Sequence, residues 1–120
     1  MTIILIILLA VLSGIAKAIA DTSASCYPES KLTLFKNPYY WAKSVGSDSK
    51  YKNDDPKQGE KFFGSTTFLV WLTDAWHLFT FITDVTLLAA AALTGMSWWL
   101  IGVFALRQFT FELTYRFLKL

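Results

Sequence analysis

A chain of 120 residues holds one domain and little more. At 54% hydrophobic and 17% aromatic, with positive mean hydropathy, it is too apolar for an ordinary soluble domain of this size. A net charge of +2 is too small for a nucleic-acid binder, and a single cysteine, Cys26, excludes an internal disulfide framework. Cys26 reads as an ordinary thiol, because Ser23-Ala24-Ser25 lacks the aliphatic residue that a lipidation signal wants three places upstream.

The first apolar stretch, residues 3–20, nearly reaches the ~20 residues that cross a bilayer core. Ala10, Gly14 and Ala18 recur every four residues and share one helical face, where small side chains admit a second helix. A cleaved signal peptide competes with this reading, since Ala18-Ile19-Ala20 resembles a cleavage site. Against it, no Lys or Arg precedes the apolar run.

Residues 21–64 form a polar loop punctuated by Pro28, Asn37-Pro38, Gly46 and Asp55-Pro56. The aromatic cluster Tyr39-Tyr40-Trp41 and the pair Phe62-Phe63 suit the headgroup region. Asp48, Asp54 and Asp55 do not fit a calcium loop, because Lys50 and Lys52 occupy places where ligands are needed. The loop reads as lying on the membrane surface, or as docking a partner or anionic lipid.

The second stretch, residues 65–93, has Ser65 as its expected N-cap and contains no proline. It would run about 43 Å, longer than the ~30 Å hydrocarbon core, and would have to tilt or bend. Gly95 suits a helix C-cap and Ser97 an N-cap, and the third stretch follows at residues 97–118 with Trp98 and Trp99 at the interface. The expected fold is all-α and membrane-integral: three transmembrane helices, the last two closing an antiparallel hairpin. Seven lysines lie between the first two spans (31, 36, 43, 50, 52, 57 and 61), with Arg116 and Lys119 at the C-terminal end. Because cytoplasmic segments collect Lys and Arg, the expected topology is N-terminus outside, with loop and C-terminus inside.

Ionisable residues at membrane depth are the chemical signal. Asp74, His77 and Asp84 fall within an arc of about 80° on the second span. The third holds Arg107, Gln108, Glu112 and Arg116. A hairpin turning at Gly95-Met96 would set Asp84 level with Arg107, His77 near Glu112 and Asp74 near Arg116, a buried ion-pair network that makes intramembrane charge tolerable. Arg107 and Glu112 lie about 140° apart, so both cannot face the second span squarely. Asp74, His77 and Glu112 are the candidate catalytic residues, as a proton relay or acid–base set. A single histidine makes a metal site a poor fit, and no cofactor motif is present.

The run Lys50-Tyr51-Lys52-Asn53-Asp54-Asp55-Pro56, through Gly64-Ser65-Thr66-Thr67 and on to Asp74-Ala75-Trp76-His77, resembles an uncharacterised family of small membrane proteins of Bacteroidota and their phages. Gly14-Ile15-Ala16-Lys17 to Asp21 resembles the family's N-terminal helix, while Ser47-Asp48-Ser49 departs from its usual Trp-Lys-Asn. The resemblance implies a bacterial cytoplasmic membrane and a retained first helix, and supplies no catalytic residues. Three readings compete: a non-enzymatic accessory or homo-oligomeric membrane component, a membrane enzyme or proton-coupled carrier, and a phage-type holin. The holin is disfavoured because the positive charge sits in the first loop rather than in a basic tail.

Overall fold

The computed structural model describes residues 1–95 and 97–119; of Val45, Ser47 and Lys119 it describes the backbone alone. It is all-helical, and among the described residues the only β pairing is an isolated antiparallel bridge between Tyr51 and Glu60. Helix α1 spans Thr2–Ser25. Two one-turn helices follow in the loop, α2 at Pro38–Trp41 and α3 at Lys43–Gly46, among 3₁₀ turns. The long helices α4, Ala75–Thr94, and α5, Trp99–Lys119, complete the chain. Two of these helices, α1 and α4, are long and apolar enough to cross a membrane.

Helix α1 packs along both α4 and α5, which scarcely touch each other. The body measures 48 × 35 × 19 Å, and three helices of ~10–12 Å diameter side by side account for its middle dimension. The order across this layer is α4–α1–α5, so the expected C-terminal hairpin is joined by a short connection but not zipped along its length. Side-chain size on α1 explains the order. Ala10, Gly14, Ala16, Ala18 and Ala20 are buried, whereas Ile3, Ile4, Leu5, Ile7, Leu8 and Leu12 are exposed. A Cβ on Gly14 would stand 2.5 Å from the Arg107 carbonyl oxygen and 2.8 Å from Thr110 Cβ, so only glycine admits α5 there. Ser13 donates to the Thr83 carbonyl of α4 at 3.1 Å, tying α1 to the other side. Ile6, Ala10, Ala90 and Val103 form the three-helix core at one end; Ala18, Leu32 and Leu118 join loop and helices at the other.

The second helix starts at Ala75, ten residues after the expected start at Ser65. Two capping residues compete for this segment, and Asp74 takes the role by accepting the His77 N–H at 3.0 Å. Ser65 instead pins the loop: its hydroxyl donates to the Lys50 carbonyl at 2.7 Å and accepts from Lys61 N at 3.0 Å. Residues 66–73 are then turns, with a 3₁₀ turn at Val70–Leu72. The helix that remains has 20 residues, about 30 Å, so the length mismatch disappears. Gly95 ends it in the left-handed region (φ 64°), and the Ser97 hydroxyl accepts from Trp99 N at 3.4 Å.

Candidate functional site

Asp74 has no exposed surface, because the loop closes over it. At Gly46 the loop backbone comes so close that a Cβ would lie 2.7 Å from the Tyr39 carbonyl oxygen and 3.4 Å from Asp74 Cβ. Asp74 Oδ1 meets both the His77 N–H and, at 2.6 Å, His77 Nδ1. Its Oδ2 has no hydrogen-bond partner. One carboxylate thus caps α4 and fixes the imidazole of the same turn, which leaves Nε2 to accept or give a proton when Nδ1 carries the hydrogen. The Trp76 ring meets the imidazole edge-on at 4.8 Å, and Lys43 Nζ sits 3.9 Å from the Trp76 ring centre. Trp41 roofs the start of α4 by stacking on Phe79 at 5.9 Å, and it also stacks with Phe35 at 4.4 Å. Burial, and then the Asp74 carboxylate, push the Tyr40 hydroxyl above its usual range.

A second polar site lies where all three long helices meet. Lys17, Asp21, Thr80, Thr83, Asp84 and Arg107 line a half-open cavity of about 210 Å³. That is roughly fifteen to twenty times the ~10–15 Å³ that admits one water. Lys17 is paired with Asp21 at 3.0 Å, while the buried Nε of Arg107 has no partner. Asp84 and Arg107 line this cavity together, yet no ion pair joins them among the described residues.

The expected cross-helix network is therefore not the observed arrangement. Asp74 pairs with His77 inside α4, and Arg116 pairs with Glu112 inside α5 at 3.7 Å. The Arg116 side chain is 80% exposed and that of Glu112 49%, so this pair is not buried. The cause is α1, which occupies the space between the two helices that the network was to bridge. For the same reason Glu112 pairs within α5 while Asp74 pairs with His77, and the three candidate residues do not converge. Among the described residues, no three of His, Cys, Asp and Glu converge as metal ligands. Lys17 and Asp21 were missed as cavity residues; an i,i+4 charge pair inside an apolar run was the available signal. No protein-family model, curated protein or solved structure matches the chain.

Proposed function

We propose that this chain is an integral protein of a bacterial cytoplasmic membrane whose three long helices all cross the bilayer, acting as a non-enzymatic accessory or oligomeric component. The observation that carries the reading is the inverted distribution of side-chain size. Small residues line the helix seams, and large aliphatic and aromatic ones cover the outside: Ile4, Leu8, Phe81, Leu88, Phe104 and Leu113 are all exposed. A soluble protein puts these side chains inside, and an exposed apolar surface this continuous marks contact with lipid or protein. Helices in lipid associate instead through small residues that permit close backbone approach. The lysines of the loop support an N-out, C-in topology.

Alkaline carbonate washing of bacterial membranes tests the insertion. The expected result is retention in the pellet, and release to the supernatant defeats the reading. Cys26, the sole cysteine, lies just after α1 at the loop-side end. An impermeant maleimide should label it in inside-out vesicles and not in intact spheroplasts.

The Asp74–His77 contact favours a second reading, proton transfer at the loop-side edge of the membrane. Here Asp74 holds the imidazole and His77 Nε2 moves the proton. In this reading His77→Gln abolishes proton flux in proteoliposomes while the chain still inserts; unchanged flux removes it.

A further inference from the structure

We propose that the outer face of α5 is a self-interface, through which two copies of this chain associate by parallel α5 helices about a twofold axis along the bilayer normal. The proposal rests on the membrane reading above. Gly102, Ala105, Gln108, Glu112 and Arg116 are all exposed, and at 100° per residue they fall within an arc of about 120°, which the exposed Ile101 and Phe109 share. Helix α1 packs on α5 elsewhere, against Val103 and the backbone at Arg107 and Phe111. Nothing lies within 4 Å of a Cβ built on Gly102, so this face is open.

Such a face suits lipid badly. Glu112 lies about 10 Å and Gln108 about 16 Å inward from the end of α5 at Lys119. Polar groups at such depth are costly unless they face protein or water. A second copy satisfies them because the stripe is self-complementary. Acid and base sit one turn apart, so under a twofold axis each Glu112 meets the second copy's Arg116, and the reverse. Within one chain the pair is held only at 3.7 Å through Arg116 Nε, which leaves the rest of the guanidinium to bond outward. Gln108, with both donors and an acceptor, lies at the edge of the seam and Ala105 at its middle. Gly102 and Ala105 let the two backbones approach. The face on α1 built from Ala10, Gly14 and Ala18, the expected oligomer contact, is filled by α4 and α5 and is not free for this.

The test is oxidative cross-linking of the full chain in native membranes, with Cys26→Ser as background. Ala105→Cys, at the middle of the stripe, should yield covalent dimer, and Phe104→Cys, exposed but about 100° away from it, should yield little. Arg116→Cys is a second probe should the first variant fail to accumulate. In nanodiscs, Glu112→Gln and Arg116→Gln should each weaken dimerisation roughly threefold to tenfold. The exchange E112R/R116E should restore it. Equal cross-linking at positions 104 and 105, monomer throughout, or dimerisation indifferent to both Gln variants overturns the proposal. Carbonate retention of the same samples reads out the membrane assignment separately, so loss of one is not mistaken for loss of the other.

Discussion

Two residues show how much of this chain hangs on single side chains. Asp74 caps α4 and holds His77 with the same oxygen. Asp74→Ala should cost about 1–2 kcal/mol, the upper part of the usual range for losing an N-cap. Asp74→Asn should keep most of that stability, because Asn caps as well as Asp. Thermal melts followed by circular dichroism in one detergent check both, and equal losses in the two variants would show that the charge rather than the cap matters. Gly14 is the second case. Its hydrogen faces the Arg107 carbonyl where a methyl does not fit, and both atoms belong to backbone that cannot turn aside. Gly14→Ala should destabilise the fold by about 1–3 kcal/mol, the cost of overpacking a close contact. The same melts measure it, and a neutral result would mean that α1 and α5 stand farther apart.

At the scale of elements, the loop is folded rather than loose, and one carboxylate organises its turn before α4. Glu60 accepts from the Thr66 hydroxyl at 2.6 Å and from the Gly64 N–H at 3.3 Å. Chiefly the Thr66 bond, then the Gly64 one, hold its carboxyl below the ordinary value of 4.5. The sign follows from linkage. A depressed folded pKa stabilises the turn above the unfolded value, and that stabilisation is lost as pH falls through the folded value. Amide exchange at Gly64 should therefore quicken below about pH 4.5 in the native chain, once corrected for intrinsic rates. Glu60→Gln should show no such step. The helices α1 and α4 were legible as apolar runs, and Gly95 as a stop. The start of α4 was not, because Ser65 and Asp74 both qualify as caps and local sequence does not rank them. What ranks them is that Ser65 is consumed by Lys50 and Lys61, which flank the Tyr51–Glu60 bridge.

For the whole molecule, the governing feature is the α4–α1–α5 order. It places Asp84 in the polar cavity that Lys17, Asp21 and Arg107 also line, with no ion pair to Asp84 among the described residues. Because Asp84 and Arg107 share that cavity without an ion pair, their substitutions should couple, but more weakly than a direct buried pair. In a double-mutant cycle of Asp84→Asn and Arg107→Gln, the coupling should be about 0.5–1 kcal/mol, measured by denaturant titration in micelles. A coupling of about 3 kcal/mol, as a direct buried pair would show, would contradict the geometry.

By itself the sequence determined the helical class, the long apolar segments and the presence of charge within them. These follow from composition and from local rules of helix length, turns and caps, which need no knowledge of distant neighbours. Small residues at positions 10, 14 and 18 mark a contact face on α1, but chain order does not say which helix meets it. A short connection between α4 and α5 suggested direct packing, and the deduced charge ladder depended on that step. Only the tertiary structure decided that α1 lies between them, because its small-residue seam brings two backbones closer than the bulkier faces of α4 and α5 can approach each other. That one decision rearranged the expected pairs: Asp74 bonds His77, Glu112 pairs with Arg116, and Arg107 lines an open cavity with Asp84.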